Sequence, residues 1–201
     1  MKKLVLSEGK RDVRLVEVFY EELATEVRVD TFYGEEVAYQ RLKNQESDKI
    51  QNFAERRNPY DVLAKSEGGK PDLKRVFTKL VKPLARWDVT VTLLIDLDGN
   101  GLKALIDDLD TSIADNYRGN EFGFQEIERL GRSRQLIATQ TELYSKRDES
   151  RHGTFELVAF HEDLETVADI QKSDDDDTEN EKLREFVADD HATAPMRDVL
   201  L

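Results

Sequence analysis

The stretch Val89-Thr90-Val91-Thr92-Leu93-Leu94-Ile95-Asp96-Leu97-Asp98-Gly99-Asn100-Gly101 constrains the fold more than any other part of this chain. Its β-branched and aliphatic run predicts a strand buried on both faces, and such strands belong to sheets covered by helices on both sides. The run ends in two carboxylates, Asp96 and Asp98, one residue apart, followed by a glycine turn. Ligands of open α/β sheets bind beyond the carboxyl ends of the strands, so both acids are expected at the mouth of a crevice. Two carboxylates placed there repel each other unless a cation lies between them. Hard oxygen donors favour Mg²⁺ or Mn²⁺.

Three other readings compete for the same residues. Asp96, Asp98, Asn100, Gly101 and Asp107 match the ligand spacing of an EF-hand calcium loop. Such a loop is entered from a helix, however, whereas Val89 to Ile95 has the composition of a strand, and Lys103 stands where an apolar residue is normal. A phosphatase-type strand ending in Asp-x-Asp-Gly lacks its downstream partners. The plainest alternative is a turn whose aspartates only cap the next helix.

The rest of the chain repeats the strand and helix rhythm. Lys3 to Ser7 forms a short apolar strand, and Glu8-Gly9-Lys10-Arg11-Asp12 turns into a helix with Val13, Val16, Phe19, Tyr20 and Leu23 on one stripe. Glu8 thus becomes a second strand-tip acid, although an acid in a first helical turn also interacts favourably with the helix dipole. Tyr60 to Ala64 is a third strand, stopped by Glu67-Gly68-Gly69, and a helix follows over Asp72 to Leu84. After Asp98, Leu102, Leu105, Ile106, Leu109 and Ile113 mark another helix. Alternation of this kind predicts an α/β fold with a mainly parallel sheet flanked by helices, because parallel strands need crossover connections.

Two stretches fit that rhythm less well. Val27 to Arg57 is expected to be a largely helical insertion led by an edge or connecting strand, and its Arg41, Lys43, Lys49, Arg56 and Arg57 could follow a phosphate backbone. A solvated helical face explains the same charges. Downstream, a short helix is expected over Glu121 to Arg132, and Gly131-Arg132-Ser133-Arg134 forms a compact basic patch. Strands at Thr141 to Lys146 and Thr154 to Phe160 predict an edge hairpin. Asp163 and Glu165, just beyond it, are either further metal ligands or acids that begin a helix. The expected division is an α/β domain over residues 1–170 and an acidic, partly disordered tail over 171–201, broken at Asp174 to Asp177, with a short terminal helix.

Composition narrows the function classes. The 43 acidic against 30 basic residues leave a formal charge of −13, which opposes non-specific nucleic-acid binding by the whole surface unless metal ions or a basic face intervene. A high-salt, halophilic cytoplasm would screen such charge and fits the same balance. With no cysteine, disulfides, thiolate metal sites and cysteine nucleophiles are excluded. No apolar run approaches the roughly 20 residues that span a bilayer, so no membrane partner and a cytoplasmic location are expected. His152, His161 and His191 are too scattered to suggest zinc.

Ser7-Glu8-Gly9-Lys10-Arg11-Asp12 at the tip of the Lys3 to Ser7 strand, Gly68-Gly69 after the Tyr60 to Ala64 strand and Asp96-Leu97-Asp98-Gly99 after the strand from Val89 together resemble the TOPRIM domain of topoisomerases, bacterial-type primases, OLD-family nucleases and RecR-like proteins. The resemblance covers roughly residues 1 to 115. It implies a glutamate for acid/base work or metal binding, here Glu8, and a Mg²⁺-binding pair, here Asp96 and Asp98, with Asp12, Asp163 and Glu165 as further candidate ligands. Lys10, Arg11, Arg132 and Arg134 are the candidate contacts to DNA or RNA. A Mg²⁺- or Mn²⁺-dependent nuclease is therefore expected. The alternative is a non-catalytic binding or assembly module that works with a protein partner or as a homo-oligomer.

Overall fold

The computed structural model describes residues 2–34, 49–84, 86, 88–116 and 121–201. In chain order its elements are β1 (Lys2–Ser7), α1 (Lys10–Leu23), β2 (Val29–Tyr33), β3 (Val62–Ser66), α2 (Lys70–Leu84), β4 (Val89–Asp96), α3 (Leu102–Asn116), β5 (Phe122–Arg132), β6 (Leu136–Ser145), β7 (Arg151–Phe160), α4 (Leu164–Val167), α5 (Asp176–Ala188) and α6 (Asp190–Leu200). The strands make one seven-stranded sheet in the order β2-β3-β1-β4-β7-β6-β5. β2, β3, β1, β4 and β7 run parallel, and β6 and β5 complete the sheet antiparallel to their neighbours. The protein is α/β, with a mostly parallel mixed sheet flanked by helices.

Strand alternation sorts the apolar residues into two cores. Leu4 and Leu6 of β1 join Val91, Leu93 and Ile95 of β4 on one face, against Leu73 and Phe77 of α2 and Leu105, Leu109 and Ile113 of α3. Val5 and Leu94 point the other way, toward Val13, Val16 and Phe19 of α1 and Leu183, Val187 and Met196 of α5 and α6. Each fully buried aliphatic side chain contributes roughly 1.5–3 kcal/mol, which is why the central run must lie inside the sheet. The chain leaves β1 into α1 on one face and leaves the adjacent β4 into α3 on the other. The opposed exits open a crevice between the two strand tips, the place where ligands of such sheets bind.

Several expectations need correction. Glu121 to Arg132 is not a helix: it supplies β5, the antiparallel outer strand. The strands expected to make an edge hairpin are β6 and β7, but β7 lies inside the sheet beside β4 and β5 covers β6. Residues 171–201 do not trail away either, because α5 and α6 bury Phe186, Val187, Met196, Val199 and Leu200 in the core. Of the insertion expected over Val27 to Arg57, β2 joins the sheet beside β3 and residues 49–54 are helical, with Ile50 and Phe53 buried. Arg41 and Lys43 fall outside the described residues. Among the described residues, no helix is long and apolar enough to cross a membrane.

Candidate functional site at the tips of β1 and β4

β1 delivers Glu8 to the crevice and α1 returns Asp12 to it. The Asp12 carboxylate accepts the backbone N–H groups of Glu8 at 3.1 Å and Gly9 at 2.9 Å, so it caps the start of α1. Glu8 reaches across the crevice, where its Oε1 accepts the backbone N–H of Asp96 at 2.9 Å. That bond joins the two predicted acid positions directly. Beyond β3, Gly68 and Gly69 hold φ of 81° and 133°, a left-handed region in which other residues are strained. The Gly69 N–H donates to the Glu8 carbonyl at 2.8 Å, so this turn is pinned to the tip of β1.

At the end of β4, Asp96 turns toward the α1 side of the sheet and lies half-buried. Its Oδ1 is one of two buried side-chain atoms among the described residues without a hydrogen-bond partner. Burial and the neighbouring Asp12 and Glu8 carboxylates push the Asp96 carboxyl up to about 8. Burial likewise raises Asp12 to about 7 against the two N–H donors that favour its charged form. Glu8 is raised for the same reason, with the Asp96 N–H and Lys70 opposing. Three acids thus share one partly dry site in which their charges are incompletely balanced.

Asp98 behaves differently. It has φ of 50° and Gly99 has φ of 74°, and the Asn100 N–H closes the turn onto the Leu97 carbonyl at 2.8 Å. Two successive left-handed residues break strand alternation and carry Asp98 out to solvent, 61% exposed, where Lys70 pairs with it. An EF-hand is not formed, since the loop leaves a strand.

A cleft of about 900 Å³ spans this edge, lined by Glu8, Asp12, Asp96, Glu165, Lys10 and Arg14, among others. Arg11, which also lines this cleft, pairs with Glu165 at 2.9 Å and with Glu179 of α5, which hold its guanidinium charged. Asp163 is the N-cap of α4, accepting the Thr166 N–H at 2.6 Å. Arg132 and Arg134 are exposed on the β5–β6 turn, at the same sheet edge as the tips of β1, β4 and β7. Their turn is anchored by Ser133, whose hydroxyl donates to the Ala192 carbonyl at 2.8 Å. Sequence reasoning missed Lys70, Glu179 and Tyr33 as parts of this edge. Only the position of Lys70, directly after the glycine pair, carried a signal.

The donors suit a hard divalent cation in chemistry and in part in placement. Asp96 presents an unsatisfied oxygen, and Glu8 is held beside it by the Asp96 backbone N–H. Asp98 is engaged by Lys70 instead, and among the described residues no three His, Asp or Glu side chains are disposed together to hold an ion. No family model, curated protein or solved structure matches the chain.

Proposed function

We propose that this is a TOPRIM-type protein acting on nucleic-acid phosphodiesters, as a Mg²⁺- or Mn²⁺-dependent nuclease, with Glu8 and Asp96 as its central acids. The observation that carries this reading is the Glu8 to Asp96 contact across the crevice between adjacent parallel strands. The glycine turn after β3 is bonded to the same tip, so the three stretches that resemble the family meet at one edge. Glu8 and Asp96 would hold the ion, with Asp98 joining after release from Lys70. What such an ion supplies is neutralisation of phosphate charge and acidification of an attacking water. Arg132 and Arg134, exposed at the same edge, would position the backbone phosphates.

The test is incubation of purified protein with single- and double-stranded DNA and RNA, in Mg²⁺ or Mn²⁺, at low and at molar salt. Metal-dependent cleavage that disappears in Asp96→Ala while the far-ultraviolet circular dichroism is retained supports the nuclease. A second reading, a TOPRIM-fold binding or assembly module, is favoured by the internal ion pairs of Arg11 with Glu165 and of Asp98 with Lys70. Absence of cleavage under every condition, together with oligonucleotide binding or self-association, would select it.

A further inference from the structure

Arg11 of α1 spends its whole guanidinium on carboxylates. Its Nε donates to Glu179 Oε1 at 3.0 Å, Nη2 bonds the same oxygen, and Nη1 donates to Glu165 Oε1 at 2.9 Å. One turn further along α1, Arg14 Nε donates to Asn180 Oδ1 at 2.6 Å. All five residues line the cleft. Glu179 and Asn180 belong to the first half of α5, where no side chain from Asp176 to Lys182 is buried, and the helix enters the core only from Leu183, with Phe186 and Val187. That half of α5 thus rests on α1 through polar side chains. Partly exposed ion pairs of this kind contribute little to stability and are readily exchanged.

We propose that Arg11 is a contact for a backbone phosphate of nucleic acid and that Glu179 occupies it as an internal stand-in, which the bound strand displaces. This rests on the nucleic-acid reading above and involves no metal ion. A guanidinium offers carboxylate and phosphate the same planar fork of N–H donors, so the two anions are alternatives at one place. The Arg11 side chain is 36% exposed, and a phosphate entering the cleft reaches it once Glu179 turns away. Glu179 is free to do so because its half of α5 has no buried side chain to hold it, while Leu183, Phe186 and Val187 keep the rest of the helix in place. Every phosphate bound at Arg11 must first replace a carboxylate, so the ion pair lowers affinity for the strand.

The two partners of one ion pair should then have effects of opposite sign, which a purely structural role does not produce. The measurement is binding of labelled oligodeoxythymidine and oligouridine to the full chain, in EDTA at low salt. Glu179→Gln should bind about two- to fivefold more tightly, the factor expected for loss of a partly exposed competing ion pair. Arg11→Gln should bind about tenfold more weakly, as removal of a charged phosphate contact requires. In the Arg11→Gln background, Glu179→Gln should add nothing, because the contact it frees is gone. Glu181→Gln makes the same change of charge at an exposed position of the same helix and should leave the affinity near that of the parent. If the parent binds and Glu179→Gln weakens the binding or leaves it unchanged, the stand-in role is overturned while the nucleic-acid reading stands. A gain equalled by Glu181→Gln, or one that persists without Arg11, overturns it too, since overall charge then explains the effect. If neither the parent nor Glu179→Gln binds either oligonucleotide, the stand-in role and the nucleic-acid reading fail together.

Discussion

The tips of β1 and β4 carry the same residue type and use it in different ways. At β1 both acids are drawn into backbone hydrogen bonds: Asp12 caps α1, and Glu8 accepts the Asp96 N–H. At β4 one acid, Asp96, is half-buried with an unsatisfied oxygen, and the other, Asp98, swings to the surface onto Lys70. In a regular strand, residues two apart share a face and Asp98 would lie beside Asp96. The left-handed pair at Asp98 and Gly99 cancels that rule, so the Asp-x-Asp spacing yields one inner acid and one outer acid. An acidic motif therefore does not become a metal cage by spacing alone, because the turn that follows decides which acids converge.

The largest expected difference between the two tips lies in activity. Asp96→Ala should lower metal-dependent cleavage by at least about a hundredfold, the scale of losing a principal electrostatic group at a reaction centre. Asp98→Ala should retain a measurable fraction, since Asp98 must first leave Lys70. Initial rates at saturating Mn²⁺ compare them, and equal losses would erase the distinction between an inner and an outer acid.

Next in size is the pH dependence of stability in metal-free buffer. The carboxyls of Asp96 and Asp12 are raised in the fold to about 8 and about 7 from an ordinary 3.8. Between those limits the folded protein keeps protons that the unfolded chain gives up. Their contribution is complete below about 4 and is lost as the pH rises through 7 and 8. Urea denaturation across this range should show stability falling with pH, with a shallower fall in Asp96→Asn. A parallel fall in parent and variant would remove Asp96 from the cluster.

Smaller again is the cost of disturbing the turn that separates Asp96 from Asp98. Gly99→Ala places a side chain at φ of 74° and should destabilise by about 1–2 kcal/mol, read from the urea midpoint. The smallest effect concerns the neighbouring tip of β7. Removing the α4 cap with Asp163→Ala should cost about 1 kcal/mol and leave cleavage intact, because that carboxylate serves the Thr166 N–H.

What was legible in the sequence follows from the same physics. β1, β3 and β4 are short runs rich in aliphatic and β-branched residues, and α1, α2 and α3 show threes and fours, so their patterning identifies them. β5 was misread because two register shifts, at Glu126/Glu128 and Arg129/Gly131, interrupt its alternation. They leave Phe124, Ile127 and Leu130 at a spacing of three, which imitates a helix. The aspartates from Asp174 to Asp177 look like a disordered run when only their charge is considered. In place, Asp175 caps α5 through the Thr178 N–H at 2.9 Å, and Asp174 binds Lys182 at 2.8 Å. Acids at a helix start are favoured by its dipole. Within the site, the residue types and strand tips were legible, whereas the diversion of Asp98 and the locking of Arg11 depend on side chains distant in sequence.

The most direct test of the central claim is anomalous diffraction from crystals of the protein soaked in millimolar Mn²⁺. The account predicts an anomalous peak in the crevice between β1 and β4, bonded to both Glu8 and Asp96. A peak bonded to neither carboxylate, or no peak in a crevice open to solvent in the crystal, would contradict it.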